Sequence, residues 1–362
     1  MGSPRNTHAR RRPLLELTSF ELGERRFTVD DVFDAANFCG ELENFWKEYL
    51  QCLASEAAAE AAGLKAPRKE IQGRSEEYRY AHDLVTAEET DAWLGQRGIS
   101  QDVFEEYFIR RHWLDQRDLA SEPRFRPLST AAPEEYEAFR AYTLLSGAFE
   151  GMAGRLAQRE AIRSSSSADD SADQEIVREQ RENFETRRKD IRESVAEWLE
   201  SMERGQEWLE DQITLEAMFS QRCRQNLSPV RLRQTLSALR LPLLMFDYEV
   251  MEVDTIDTAR EAYLSITLDG LDMEELAHEH RLPYHRSRSY LERVPESLQQ
   301  SFISSSPGDL IEPKGGQLKL IRINAKTEPS LDDPKINEYI HRRILKEFLS
   351  DLEARHVRWL LK

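Results

Sequence analysis

Glu249-Val-Met-Glu-Val253 opens the stretch that decides the fold of this chain, which extends to Lys326. The distinctive segments that follow are Ala259-Arg-Glu-Ala262, Gly270-Leu-Asp-Met-Glu-Glu-Leu-Ala277, Tyr290-Leu-Glu-Arg-Val-Pro295, Ser306-Pro-Gly-Asp-Leu-Ile-Glu-Pro313 and Gly315-Gly-Gln-Leu-Lys-Leu-Ile-Arg-Ile323. The opening segment alternates between two faces, as a strand does, with Val250 on one face and Met251 on the other. The stretch therefore predicts a strand, a helix closed by a Gly-acidic-apolar turn, a short helix, a Pro-Gly turn and a final strand.

The composition is that of a soluble protein rich in helix and long enough for two domains. Of its 362 residues, 40% are hydrophobic and 32% are charged, which is typical of helical globular chains. No stretch approaches the roughly 18 consecutive apolar residues that a membrane span needs, so a membrane-spanning helix is not expected. Residues 1–13 are predicted to be a disordered tail. They are basic and are not followed by an apolar segment, so no secretory signal is expected.

Cysteine usage indicates the cellular compartment, and net charge limits the possible partners. The three cysteines, Cys39, Cys52 and Cys223, have no C-x-x-C spacing and cannot all pair. This favours a reducing cytoplasm and disfavours a structural zinc site. The formal net charge of -17 would repel nucleic acid, so we expect no nucleic-acid partner. Such a charge serves solubility, and the alternative is an acidic surface that attracts a basic peptide.

Residues 14–132 predict a helical domain that begins with a small β-ribbon. Two capping-box patterns, Thr28 with Asp31 and Thr86 with Glu89, predict that helices begin after Thr28 and after Thr86. Apolar residues at three- and four-residue steps follow the first box: Phe33, Ala36, Phe38, Leu42, Phe45, Trp46, Tyr49 and Leu50. This spacing predicts one helix with one buried face.

Residues 133–227 predict a helical hairpin with a mobile loop at 163–174, which is polar and low in complexity. The helix after the loop has apolar residues at heptad-like spacing: Val177, Phe184, Ile191, Val195, Trp198, Met202 and Leu209. A seam of this kind needs an apolar partner. The preceding helix, residues 133–162, would supply it in an antiparallel pair. A partner helix, or self-association into a homodimer, is the alternative.

The last segment, residues 329–362, predicts a helix with an unbroken apolar stripe at four-residue steps: Ile336, Ile340, Ile344, Phe348 and Leu352. A stripe of this length is too long for a small domain to cover. We therefore expect the helix to pack on the N-terminal helices, so that both ends of the chain form one domain.

The element order within residues 228–328 resembles that of the parvulin-type peptidyl-prolyl isomerase domain. The N-terminal ribbon, the long first helix, the Trp93-Leu94 turn and the Gly98-Ile-Ser-Gln-Asp-Val step resemble the N-terminal helical domain of SurA-type chaperones. In SurA-like chaperones the C-terminal helix returns to the N-terminal helices. The resemblance implies an α+β fold, mostly α, in which a SurA-like helical domain accompanies a small parvulin-like domain and a helical-hairpin insertion.

The resemblance also implies where catalytic residues belong, since parvulins have a proline pocket beside a hydrogen-bonded cluster of two histidines and a cysteine or aspartate. Counting back from Ala259-Arg-Glu-Ala262 places Val250 at the first histidine position. The Gly-Tyr-His pattern of the final strand places Lys319 at the second. A shift of one residue restores neither, because no histidine lies between His285 and His341. The missing histidines favour a non-catalytic protein.

Other catalytic and metal-binding patterns are also missing. The sequence has no G-x-S-x-G, P-loop, H-E-x-x-H or G-x-G-x-x-G motif, so no cofactor is expected. His278, His280 and His285 are close in sequence, but His278 and His280 point to different faces of a helix and lack matching ligands. We predict no metal site and solvated histidines at a helix end; metal binding is the alternative.

Four apolar side chains of the parvulin-like region are the predicted peptide-binding residues: Met273, Tyr290, Phe302 and Leu318. They would line a peptide-facing groove, and the alternative is that the first three belong to the core. The final strand, residues 317–324, is predicted to be a sheet edge to which an extended peptide adds through backbone hydrogen bonds.

These features favour a non-catalytic, chaperone-like protein whose partner is a peptide or an unfolded polypeptide. Non-secreted proteins of this type are similar to accessory factors of ribosomally made, post-translationally modified peptides. That resemblance implies a cytoplasmic precursor peptide, together with its modifying enzymes, as partners. Two alternatives remain: an active peptidyl-prolyl cis-trans isomerase with an atypical site, and a scaffold or assembly subunit that acts through its heptad helix.

Overall fold

A computed structural model of the chain describes residues 17–116, 125–166, 171–188, 194–313 and 318–361. The predicted tail, 1–13, lies outside these residues, as does part of the predicted loop at 163–174. The chain divides into two compact units. One runs to Cys223 and also includes the residues from Leu349 onward, and we call it the helical unit. The other, Arg224–Phe348, is the sheet unit.

The fold is α+β and mostly α, as predicted. The helical unit contains α1 (Val29–Phe38), α2 (Leu42–Ala61), α3 (Arg68–Ala81), α4 (Ala87–Gln96), α5 (Gln101–Asp115), α6 (Pro133–Leu145), α7 (Ala148–Ser165), α8 (Gln174–Arg188), α9 (Val195–Ser201), most of α10 (Gln206–Asn226), and strands β1 (Thr18–Leu22) and β2 (Arg25–Thr28). The sheet unit contains α11 (Pro229–Ala238), β3 (Met245–Glu252), α12 (Ile256–Leu268), α13 (Met273–His280), β4 (Tyr284–Tyr290), α14 (Glu296–Ser304), β5 (Leu310–Ile311) and β6 (Lys319–Thr327). The chain ends with α15 (Pro334–His356) and β7 (Val357–Trp359).

The helical unit opens with the predicted ribbon. Strands β1 and β2 pair antiparallel, and β7, which was not predicted, pairs with the other side of β1. Complete capping boxes at Thr28 and Thr86 start α1 and α4, as predicted. The predicted long first helix is two helices, because the chain turns at Gly40 with a φ of 72°, a conformation that favours glycine. Its apolar face is still buried, with Trp46 fully inaccessible to solvent.

The predicted heptad helix of residues 177–209 is broken into α8, α9 and the start of α10. A capping box between Ser194 and Glu197 begins α9 as a new helix. The apolar residues of this region gather around α1 in one cluster: Phe38, Phe184, Trp198, Leu199, Leu209 and Ile213. The single-helix prediction was therefore wrong, and these six side chains are covered within the chain. Ile191 of the predicted seam lies outside the described residues.

The sheet unit is built on four antiparallel strands in the order β4-β3-β6-β5. The predicted strand, helix, short helix, Pro-Gly turn and final strand are present as β3, α12, α13, the turn at Gly308 and β6. Strand β4 and the two-residue strand β5 were not predicted. They extend the sheet on either side of the β3–β6 pair.

Helices cover both faces of this sheet. On the face that we call the α14 face, Phe302 of α14 packs with the strand residues Phe246, Val250, Ile321 and Ile323. On the opposite face, the α12 face, α12 and α13 pack on Met251 and Leu320. The alternation along β3 therefore sends Val250 and Met251 to different faces, as predicted.

The isoleucine stripe of α15 packs in the sheet unit. Ile336, Ile340 and Ile344 are buried against Leu243, and half-buried leucines of α11 surround them. The prediction that this stripe packs on the N-terminal helices was wrong for these three residues, because the stripe shows that a face is buried but not which element covers it. The residues from Leu349 onward do belong to the helical unit.

Candidate functional site

The α14 face holds the strand positions at which parvulin histidines would lie. Val250 is buried there, and its Cα partners are Ile321 on β6 and His285 on β4. Lys319 is opposite Glu252 instead. The two predicted histidine positions are therefore diagonal across the β3–β6 ladder rather than opposite each other.

Lys319 takes part in an ion pair on the surface. Its Nζ donates to Glu252 Oε1 at 2.6 Å, and both side chains are about half exposed. This hydrogen bond holds the pKa of the Glu252 carboxyl below its usual range. The Val250 position itself is surrounded by apolar residues. Valine has no group that donates or accepts a proton, so position 250 cannot supply acid–base chemistry.

His285 is the one histidine that the structure brings into this region of the described sheet. It is exposed on β4, directly opposite Val250. The sequence-based alignment missed this neighbour because β4 was not predicted. His278 and His280 are exposed in the last turn of α13. Within the described ranges, no group of three or more His, Cys, Asp or Glu side chains is placed to hold a metal ion.

The four predicted peptide-binding residues do not share a surface. Met273 is fully buried on the α12 face, whereas Phe302 is buried on the α14 face. Tyr290 is half-buried against the α15 isoleucines. Leu318 is exposed just before β6. Because the sheet separates Met273 from Phe302, the core interpretation applies to these two residues.

Strand β6 is not the edge that the sequence predicted. It pairs with β3 along its length and with β5 at Ile321 and Arg322. Two more backbone hydrogen bonds occupy its outer side, from Gly308 N to Ile323 O at 2.6 Å and from Ile323 N to Asp309 O at 3.0 Å. The edge prediction was wrong because β5 is too short to give a sequence signal. Gln317, at the start of the predicted edge, lies outside the described residues.

The long free edge of this sheet is β4. Within the described part of the chain, β4 pairs only with β3. Two hydrogen bonds of 2.9 Å, from Glu252 N to Pro283 O and from Leu291 N to Leu244 O, show which residue pairs of the β3–β4 ladder are hydrogen-bonded. In an antiparallel ladder, hydrogen-bonded pairs alternate with pairs whose backbone groups point away from each other. The backbone N–H and C=O of Tyr284, Arg286, Arg288 and Tyr290 therefore point outward.

Two arginines dominate the side chains of this outward row. Arg286 and Arg288 remain 68% and 62% exposed. Arg286 Nη2 lies 3.0 Å from Glu274 Oε2, and Arg288 Nε lies 3.2 Å from Asp247 Oδ1. These carboxylates approach from the α12 face, since both arginines extend on that side of the sheet. Among the described residues, the outward backbone groups of β4 pair with no other strand, although Ser289 Oγ donates to Tyr290 O at 3.3 Å. The edge thus combines backbone open to pairing with accessible guanidinium groups.

The sheet unit also has a cavity of about 770 Å³ beside the short edge strand β5. Its apolar wall comes from Tyr263 and Ile266 of α12 and from Leu310 and Ile311 of β5. Ser301, Ser304 and Ser305 also line it, but the hydroxyls of Ser304 and Ser305 donate to carbonyls of α14 itself. The cavity is open and concave, and β5 offers only two residues for backbone pairing.

The helical unit has a cleft of about 1180 Å³ between α1, α6 and α9. Phe38, Tyr136 and Trp198 are among its walls. Asp34 lines it, and burial raises the pKa of this carboxyl to about 6, although Arg204 Nε donates to it at 2.6 Å. Desolvation therefore outweighs the nearby guanidinium. No feature of the sequence distinguished this aspartate from its neighbours.

Comparison with known proteins finds only distant similarity to this chain. No protein-family model matches it, and no curated protein matches its sequence. Among solved structures it is similar to PrsA from Bacillus subtilis, with 15% identity, a TM-score of 0.21, and coverage of 61% of this chain and 83% of that chain. It is also similar to the peptidylprolyl isomerase PrsA from Bacillus cereus, with 14% identity, a TM-score of 0.30, and coverage of 61% and 93%. For the foldase protein PrsA from Streptococcus pneumoniae the values are 13%, 0.24, and 64% and 93%.

All three TM-scores lie below 0.5 and all three identities below 25%, so the similarity to the PrsA chains decides neither the fold nor the function of this chain. In the described ranges, none of the helices combines the length and apolarity needed to cross a membrane.

Proposed function

We propose that this chain is a non-catalytic, chaperone-like protein that holds an extended peptide by adding it as an extra strand beside β4. The observation that carries the proposal is the free edge formed by Tyr284, Arg286, Arg288 and Tyr290, whose backbone groups point away from β3. The peptide is a flexible segment of an unfolded or precursor polypeptide, which offers the complementary row of backbone groups.

Strand addition suits a partner whose sequence varies, because the backbone supplies most of the affinity. Each hydrogen bond contributes about 0.5–1.5 kcal/mol net. The edge is also preorganised. Phe246 and Val250 anchor β3 on the α14 face, and Met251 anchors it on the α12 face. A peptide that binds here pays its own ordering entropy but does not have to order the sheet.

The proposal does not include catalysis of proline isomerisation. The barrier to rotation about a peptide bond is about 18–20 kcal/mol. Val250 and its partner Ile321 present only hydrocarbon at the position of a histidine cluster. We expect the turnover of Ala-Pro and Leu-Pro test peptides to be indistinguishable from buffer.

The strand-addition mechanism is tested with synthetic peptides in which Val and Gln alternate. N-methylation of every second amide leaves one edge of the peptide free to pair, so this peptide should still bind. N-methylation of consecutive amides removes both edges and should abolish binding. Binding that survives consecutive methylation would overturn strand addition, and so would the absence of binding by all of these peptides.

Amide hydrogen exchange locates the binding edge. The N–H groups of Arg286 and Arg288 point outward, so their exchange should slow when peptide is added. The N–H of Ser287 points towards β3 and serves as the internal control, protected before and after binding. Slowing confined to another part of the chain would move the site away from β4.

His285 favours one second candidate function, an isomerase with an atypical site. It is an exposed histidine opposite Val250 on the face where family histidines lie. An active site here would give measurable turnover of Leu-Pro peptides, and His285→Ala would remove it. If turnover survives His285→Ala, the active site lies elsewhere in the chain. If no turnover is measured, the isomerase candidate is rejected and the proposed binding function is unaffected.

A further inference from the structure

We infer that the β4 edge selects an acidic extended segment, with carboxylates at every second residue, and this inference rests on the strand addition proposed above. The outward-pointing backbone positions of β4 carry the side chains of Arg286 and Arg288, which lie two residues apart on one face. A strand paired beside them places its own alternate side chains about 4.5–5.5 Å away on the same face. Glutamate or aspartate at those positions meets the two guanidinium groups.

The arginines can accept this second partner. Arg286 already contacts Glu274 and lies 3.6 Å from Glu249, and Arg288 contacts Asp247. A guanidinium carries five N–H donors in a planar fork, so the carboxylates that Arg286 and Arg288 already contact do not exhaust it. Both side chains are more than three-fifths exposed, so part of each guanidinium is accessible to an added strand.

The same row disfavours a second copy of this chain as the occupant. Two identical edges related by a twofold axis pair antiparallel. With the axis at Ser287, Arg286 faces Arg288 of the other copy. With the axis at Arg286 or Arg288, that arginine faces itself. Like charges directly opposite each other destabilise a strand pair, so in these three registers an acidic peptide is favoured over self-pairing.

The net charge of -17 does not overrule this local preference. Charges farther away than the Debye length, about 8 Å at physiological ionic strength, are largely screened. The contacts between an added strand and Arg286 or Arg288 fall within that distance. Glu274, Glu249 and Asp247 also fall within that distance, so the preference rests on the guanidinium N–H donors that these carboxylates leave accessible. Distant carboxylates reduce the association rate at low salt.

The experiment compares three peptides of one design, in which Val alternates with Glu, Gln or Lys. Affinities are measured by fluorescence anisotropy with the full-length protein. Two favourable cross-strand pairs correspond to roughly a tenfold tighter Kd for the Glu peptide than for the Gln peptide. The Lys peptide should bind more weakly than the Gln peptide. The Glu preference should shrink as salt concentration rises.

Matched variants assign the preference to the edge. The double substitution Arg286→Gln and Arg288→Gln keeps the backbone edge and should make the Glu and Gln peptides bind equally. Arg260→Gln removes an arginine of similar exposure from α12 in the same unit and should leave the tenfold preference intact. A preference that is unchanged in the double variant would overturn the inference.

The outcomes separate the two proposals. If the Gln peptide binds, responds to consecutive N-methylation and equals the Glu peptide, acidic selection fails while strand addition stands. If no peptide binds, both fail. If the outward amides of β4 become protected as protein concentration rises without any peptide, the occupant is a second copy, and the acidic-peptide inference is overturned.

Discussion

At the scale of single residues, pattern and structure diverge where an apolar side chain can serve either a core or a groove. The residue types and spacing of Met273 and Phe302 suit a core residue and a groove residue equally well. Only their positions on opposite faces of the sheet show that they belong to the core. His285 shows the converse case. Its relation to Val250 depends on pairing between β3 and β4, which no local pattern reveals.

Phe302 is expected to stabilise the fold of the sheet unit rather than to contact a bound peptide. It is 1% exposed and packs edge-on against Phe246 and Tyr248, with ring centroids 5.2 and 5.0 Å apart. Phe302→Ala should lower the free energy of unfolding by about 3–5 kcal/mol, measured by urea denaturation. Leu318→Ala, at an exposed position, is the control and should change it by less than about 0.5 kcal/mol. A folded Phe302→Ala protein of normal stability that no longer binds peptide would restore the groove interpretation.

Asp34 is expected to give the helical unit a distinctive pH dependence. Its folded-state pKa, about 6, is above its ordinary value of 3.8. The folded state therefore holds this proton more tightly than the unfolded state. The stabilising contribution of protonation is fully present below pH 3.8 and is lost as pH rises through 6.

Asp34→Asn removes this titration. Relative to that variant, the wild type should lose up to about 3 kcal/mol of stability between pH 4 and pH 7, measured by urea unfolding at a series of pH values. Asp102→Asn, which removes an exposed carboxyl, controls for the loss of one charge. Parallel pH profiles for the wild type and Asp34→Asn would contradict the burial argument.

At the scale of elements, the sequence was most informative where periodicity is strong and least informative where strands are polar or very short. Strand β3 and helix α12 have apolar residues at the right steps and were predicted. Strand β4 reads Tyr-His-Arg-Ser-Arg-Ser-Tyr from 284 to 290, with no aliphatic face to show a strand. Strand β5 has two residues. The free edge therefore became visible only with the complete sheet.

Proline substitutions distinguish the two sides of β4. The N–H of Arg286 points outward, so Arg286→Pro removes no hydrogen bond to β3 and should leave the fold intact, as proline is tolerated on such edge positions. It removes a donor to an added strand and should weaken peptide binding. Ser287→Pro removes a ladder hydrogen bond and leaves its acceptor unpaired, so it should lower stability by about 1–3 kcal/mol.

Melting temperature and peptide affinity, measured on both variants, test this assignment. Equal losses of stability in the two variants would show that the outward and inward amides have been assigned to the wrong residues. A stable Arg286→Pro protein with unchanged affinity, for a peptide that binds the wild type, would place binding elsewhere.

At the scale of the whole molecule, the sequence predicted an α+β, mostly helical chain but not which elements share a core. The stripe along α15 is a local pattern, and it shows only that one face is buried. Its partner depends on Leu243 and on α11, which follow from tertiary packing. The two ends of the chain do meet, but at the pairing of β7 with β1 rather than at the isoleucine stripe of α15.

Helix α15 provides a matched pair of substitutions that tests this organisation. Ile340 is fully buried in the sheet unit, and Leu352, 9% exposed, belongs to the helical unit. Either change to Ala should cost about 2–5 kcal/mol in the core that the side chain fills. Ile340→Ala should speed amide exchange in β3 and β6, whereas Leu352→Ala should speed it in β1, since local opening follows the stability of the cooperative unit. If Ile340→Ala instead loosened β1 and spared β3, the isoleucine stripe would belong with the N-terminal helices, and the assignment of α15 to the sheet unit would have to be given up.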